Sequence, residues 1–292
     1  MKNIWIFFFL LINLFIFCSL NSEIIETSEI ETVLQYVNKD SLVLFNVSDT
    51  LYEPSTTIAE HAWREYFAEK VIQLIKDPEL GQKLINKTKN KIVQNVPKKL
   101  VEGITPTIIS ELQQRRLVVL GITEKKVSTP YAENFSLITS NHLQGLGIDL
   151  NKTLIYFDAT EKDDNAPTFS LQYGILFSNK KGIGPSIKSF MEYYKFNPQR
   201  IVMIDNSMKS LKVVETLSHE NSIEFNGLRY TRTDDRKANY DPVLGIIEFD
   251  AFINEHRVMS DQEALQIKLS NPDANYEVFL ENLILKMSLS DI

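Results

Sequence analysis

The sequence predicts an α/β fold: a doubly wound parallel sheet with helices on both faces and a helical subdomain inserted after the first strand. Three observations predict it. The runs Leu42–Phe45, Leu117–Ile122 and, within Arg200–Ile204, Ile201–Ile204 are continuously apolar, as strands covered on both faces are. Segments of helical periodicity separate them, and strands that alternate with helices build parallel sheets. Between the first and second runs, from Glu60 to Gln114, lie about fifty residues of helical pattern with no strand signal, too long for a simple crossover.

Each element follows in order. Ile24, Ile25, Ile30, Val33, Leu34 and Val37 suit a helix over 23–39 leading into the first strand, Ser41–Phe45. In the insertion, Trp63, Tyr66, Phe67, Val71, Ile72 and Ile75 share one helical side and read as packing residues. Pro106 restarts a helix that ends at Arg116. After the second strand, residues 127–170 are polar and irregular, with one strand-like run at Thr153–Phe157. Tyr173–Phe177, a helix from Pro185 to Tyr194, the strand at Arg200–Ile204, a helix over Met208–Leu217, a strand over Ile223–Tyr230 and a helical region over Leu244–Met287 complete the chain.

The 292 residues have 43% hydrophobic and 24% charged content, ordinary for a folded globular chain. A net charge of -7 argues against nucleic-acid binding, which needs a basic face. The basic runs Lys87–Lys91 and Lys98–Lys99 read as solvated helix faces. Lys2 followed by an apolar run from Ile4 to Phe17 and a small polar exit has the order of a secretory signal peptide, residues 1–22. Export is therefore expected, periplasmic or secreted, with membrane contact only through an uncleaved N-terminal segment. The single cysteine, Cys18, follows bulky Phe15–Phe17 and does not suit a lipidation site. The mature chain, residues 23–292, would carry no thiol, hence no disulfide.

In open α/β sheets ligands bind beyond the carboxyl ends of the strands. The residues there are Asn46 with Ser48, Thr123, Lys181 and Asp205. Leu44-Phe45-Asn46-Val47-Ser48-Asp49-Thr50-Leu51 resembles the first motif of the haloacid-dehalogenase-like phosphatase superfamily, apolar-Phe-Asp-x-Asp-x-Thr-Leu. Thr123 resembles its second motif, Lys181 before a helix its third, and Ile204-Asp205-Asn206 its fourth. The ordered set spans 42 to about 230, and its texture is similar to a bacterial branch of that superfamily.

The resemblance implies a Rossmann-like core with a substrate-selecting cap at about 53–114. It also implies a first aspartate that attacks phosphorus and a second, two residues on, that shuttles the proton. Here those positions are Asn46 and Ser48. A carboxamide cannot form an acyl phosphate, and a serine hydroxyl is too weakly acidic to act as the shuttle. Magnesium binding should be weak and is not required, because Asn46 offers only a neutral oxygen, Asn206 replaces an acid, and Asp205 alone is well placed.

The pocket thus sets about one carboxylate, Asp205, against one cation, Lys181, and could hold a phosphate without metal through Thr123, Lys181 and loop amides. Blander roles compete. Asn46 and Ser48 suit an ordinary turn, Thr123 a cap, and Lys181 contends with Lys180 as a loop lysine. The four histidines lack metal-ligand spacing. The expected function is that of a pseudophosphatase that binds a phosphorylated small molecule or a protein partner. The alternatives are an active magnesium-dependent phosphatase with an altered loop and a structural, partner-binding protein with no pocket ligand.

Overall fold

The computed structural model describes residues 22–128, 134–157, 169–179 and 181–290. The predicted signal segment therefore lies outside the described residues except for Ser22, as does Lys180. Seven strands form one sheet: β1 (Ser22–Thr27), β2 (Ser41–Asn46), β5 (Val118–Thr123), β6 (Ser170–Gln172), β7 (Ile175–Phe177), β8 (Arg200–Asp205) and β9 (Glu224–Tyr230). Their spatial order is β1-β9-β8-β2-β5-β7-β6, and every pair is parallel except β6 with β7. A separate antiparallel ribbon joins β3 (Tyr52–Pro54) to β4 (Lys98–Leu100).

The doubly wound arrangement can be read in the alternation of β2. Val43 and Phe45 join one core with Ile108, Ile109 and Leu112 of α3 (Thr105–Gln114) and Phe135 and Leu143 of α4 (Phe135–Gly145). Leu42 and Leu44 join the opposite core, with Ile187 and Phe190 of α5 (Ile183–Tyr193) and Leu211 and Val214 of α6 (Met208–Glu220). Period-two side chains of one apolar run thus feed two layers of helices.

A third core builds the helical body. Trp63, Phe67 and Val71 of α1 (His61–Leu74) and Leu84, Ile85 and Ile92 of α2 (Pro78–Asn95) pack with residues from the far end of the chain. Those are Ile246 and Phe249 of α8 (Pro242–Asp250) and Leu280, Leu283 and Ile284 of α10 (Tyr276–Ser290). Within the predicted insertion, α3 instead packs on the sheet, and the ribbon β3–β4 is present where no strand was expected. The other helices are α7 (Asp234–Ala238) and α9 (Asp261–Ser270).

Three further expectations are corrected. The helix expected over 23–39 is β1 followed by a short 3-10 helix, Ile30–Gln35. Ile24 and Ile25 face opposite cores beside β9, a placement that adjacent β-branched residues suit. The strand-like run at 153–157 lies in a 3-10 helix, Asn151–Tyr156, because Thr153 Oγ1 donates to the Val119 carbonyl at 2.7 Å and turns the segment onto β5. The stretch read as irregular contains α4, whose weak amphipathic pattern hid it.

Candidate functional site

The strand-end site is built on three neighbouring strands. β2 ends at Asn46, β5 at Thr123 and β8 at Asp205, and β2 pairs with both of the others. After Asn46 the chain turns sharply. Asp49 adopts φ 60, its N–H donates to the Tyr52 carbonyl at 2.8 Å, and the N–H groups of Leu51 and Tyr52 donate to the Val47 carbonyl at 3.2 and 3.3 Å.

The turn places Ser48 beside Asn46, whose Nδ2 donates at 2.8 Å to the Ser48 carbonyl and at 2.8 Å to Asn206 Oδ1. With its amide reversed, Asn206 would accept from Lys237 Nζ at 2.5 Å and donate to Asp205 at 3.2 Å. The first orientation sets the Asn206 NH2 against the Lys237 ammonium and the second sets it against the Asn46 NH2. The first is kept because Asn46 Nδ2 stays on the Ser48 carbonyl and then also meets an acceptor in Asn206.

Asp205 is 1% exposed. Burial pushes its carboxyl up to about 7, against the opposing Ser207 N–H, which it accepts at 2.8 Å. Thr123 is buried and its Oγ1 takes only a long 3.4 Å contact from the Lys125 N–H. Lys181 is exposed in the loop before α5 and lies outside the cavity described next. The structure therefore brings together Asn46, Ser48 and Asp205 with Asn206, holds Thr123 on the adjoining strand, and leaves Lys181 in solvent.

Beside Ser48 opens a cavity of about 50 Å3 between the sheet and the helical body. Ser48, Asp49 and Tyr52 form its floor, Arg64 and Lys98 come from α1 and β4, and Lys125 and His142 from the β5 loop and α4. Burial, with Lys125 and Arg64 nearby, drops the Lys98 ammonium to about 7. Burial and Arg64 lower Lys125 to about 8. Burial and the two lysines take His142 down to about 4, leaving it neutral, and burial pushes the Tyr52 phenol up to about 12. Asp49 is the carboxylate of this lining, and it already pairs with Lys237 Nζ at 3.0 Å.

Sequence reasoning missed Arg64, Lys125 and His142 and read Lys98 as part of a solvated helix face. Lys98 instead sits on β4, where alternation turns it to the cavity while its neighbour Lys99 pairs with Glu53 at 3.1 Å. The Pro97 break before it was the available signal. Among the described residues, no three His, Cys, Asp or Glu side chains converge as a metal site requires. Among those residues also, no helix is long and apolar enough to cross a membrane.

Several proteins are similar to this chain in sequence. A Rickettsia prowazekii chain named "Uncharacterized protein RP296" is 24% identical over 248 residues, covering 83% of this chain and 88% of that one. A Chlamydia trachomatis chain named "Putative outer membrane protein" is 20% identical over 221 residues, 76% of this chain and 80% of its own. A Chlamydia pneumoniae chain, also named as a "Putative outer membrane protein", is 21% identical over 255 residues, 84% and 90% of the two chains. No solved structure gives a significant match. The model of the family described as "Protein of unknown function (DUF2608)" matches residues 23–265, most of the chain, and the protein belongs to that family.

Proposed function

We propose that this is an exported protein of haloacid-dehalogenase-like build whose strand-end pocket binds a phosphorylated ligand without hydrolysing it. The observation that carries the reading is the Asn46 amide, whose nitrogen is spent on the Ser48 carbonyl and Asn206. A nucleophile at this position would need a free carboxylate oxygen facing the ligand. The amide has no such oxygen, and Ser48 beside it cannot shuttle a proton near neutral pH.

The residues present do not fit the magnesium ion that the resemblance implies. A hard cation wants converging oxygens, but the Ser48 carbonyl already accepts Asn46 Nδ2, and Asn46 turns N–H groups toward Asn206. Burial favours the neutral form of the remaining acid, Asp205. Export is supported by the apolar run Ile4–Phe17 and by the printed names of the chlamydial relatives.

The test is restoration. The wild-type protein is expected to leave a generic aryl phosphate intact with or without magnesium, whereas Asn46→Asp combined with Ser48→Asp gains magnesium-dependent hydrolysis. Wild-type hydrolysis that depends on magnesium and disappears in Asp205→Ala would overturn the reading.

A further inference from the structure

Charged side chains leave water at a cost unless something pairs them. Around the cavity beside Ser48, three half-buried cationic side chains meet that cost with few partners. Among the described residues, the Lys98 ammonium makes no hydrogen bond or ion pair. Among the same residues, the Lys125 ammonium has only the Ser48 hydroxyl at 3.4 Å and the Phe135 ring, whose centroid is 5.4 Å away. Arg64 is anchored by Nε donating to the Glu60 carbonyl at 3.3 Å, and its two terminal nitrogens have no partner among the described residues. The charge nearest to balancing them, Asp49, is shared with Lys237.

The geometry points to a metal-independent receptor for a compact dianionic oxyanion, inorganic phosphate or the terminal phosphate of a monoester, held by Arg64, Lys98 and Lys125 with the Ser48 hydroxyl. The size agrees. The cavity of about 50 Å3 exceeds the roughly 10–15 Å3 that a single water needs and so has room for a compact anion. The charge agrees too, because a dianion offsets two of three converging cations and Asp49 offsets part of the third. The donors are of the right kind, an arginine fork with two point-charge ammoniums. They come from three elements, α1, β4 and the loop after β5, so an occupant would tie the helical body to the sheet. The site is distinct from Thr123 and Lys181, the anion ligands expected from the sequence, neither of which lines this cavity. The identity of the ligand as a phosphate rests on the ligand-binding reading above, while the cation site does not.

The site is also predicted to take up protons when filled. Lys98 and Lys125 face each other, Arg64 from α1, Asp49 and Tyr52 from the turn, His142 from α4 and Arg236 from α7. Burial first, and repulsion from the neighbouring cations second, leaves the two ammoniums partly deprotonated near pH 8 when the cavity is empty. A bound dianion favours the charged forms, so affinity falls as pH rises from 7 to 9.

Calorimetry and thermal melts of the purified chain in EDTA test this with three probes. Sulfate stays dianionic across the pH range, inorganic phosphate represents the free ion, and glycerol phosphate represents the ester. All three are expected to bind and raise the melting midpoint, with sulfate affinity falling from pH 7 to 9 and proton uptake seen across buffers of different ionisation enthalpy. A preference for glycerol phosphate over inorganic phosphate would assign the ester as the source, and the reverse would assign the free ion.

Lys125→Met and Arg64→Met are each expected to weaken binding about tenfold or more. Lys98→Met should melt higher than wild type without anion, because it relieves repulsion, and should lose the anion-induced rise. Lys188→Gln removes an exposed charge away from the cavity and should change neither. No binding of any probe, or binding unchanged in the three Met variants, overturns the site. If the probes fail while Asn46→Asp with Ser48→Asp gains hydrolysis, the cation site falls and the reading of the loop stands. If they bind while that double variant stays silent, the outcome is reversed.

Discussion

Glu248 offers the sharpest test of how the helical body is held. It is 0% exposed on α8, its Oε2 accepts the Ile58 N–H at 2.8 Å, and Oε1 meets no donor. Beside it stands Asp261 of α9, which accepts the N–H and hydroxyl of Thr57 at 2.8 and 3.3 Å. Burial, then a hydrogen bond to Asp261, pushes the Glu248 carboxyl up to about 9. A proton on Oε1 therefore explains the orphaned oxygen, since it turns that atom into a donor to Asp261.

The sign follows from linkage. The folded pKa of Glu248, about 9, lies above the ordinary 4.5, so its stability contribution is complete below pH 4.5 and is lost as pH rises toward 9. Each pH unit in that window costs at most about 1.4 kcal/mol. From pH 6 to 8 the loss reaches about 3 kcal/mol, roughly 5–10 °C in melting midpoint for a chain of this size. Glu248→Gln keeps an acceptor for Ile58 and supplies a permanent donor to Asp261, so this part of the slope should vanish. Thermal melts of wild type and variant at pH 6, 7 and 8 measure the difference, which cancels other titrating groups such as Asp205. Parallel profiles would refute the protonated pair.

Two more predictions concern packing. Gly245→Ala on α8 would ordinarily favour a helix, but here the new Cβ would lie 1.9 Å from Trp63 Cδ1 and 2.2 Å from its Nε1, against an indole already stacked on Phe67 at 5.3 Å. A loss of about 3 kcal/mol is expected in urea unfolding followed by tryptophan fluorescence, and an unchanged midpoint would refute the close approach. Tyr230→Phe removes the hydroxyl that donates to Glu102 Oε1, which also accepts the Ile30 N–H at 2.7 Å. Because Glu102 keeps that second donor, the expected cost is modest, about 1 kcal/mol in the same assay.

The layered sheet was legible because central strands and their loops obey local rules. Leu42–Phe45, Leu117–Ile122 and Ile201–Ile204 are apolar without interruption, and each is followed by a polar residue where its strand leaves the core. That pattern led to Asn46, Ser48, Thr123 and Asp205, which local sequence places at strand ends. Long-range placement was not legible. Ile24 and Ile25 suit a helix or a strand equally in isolation, and pairing with β9 decides between them. The body around Trp63 was read as a helical insertion at 53–114, and its core is completed by Phe249 and Leu283, about two hundred residues further along the chain. Lys98 and Lys125 were hidden for the same reason. A lysine in a polar stretch reads as solvated until two distant elements enclose it.

The edge strand β1 has a consequence for how the molecule is made. Ser22 lies opposite Phe225, so the first strand of the sheet waits for about three quarters of the polypeptide before it finds its partner. Contacts of such sequence separation form late because the loop must close first. An emerging chain therefore carries β1 unpaired until β9 has been made. A threading machinery acting on the N-terminal end would meet a polypeptide that cannot yet lock shut.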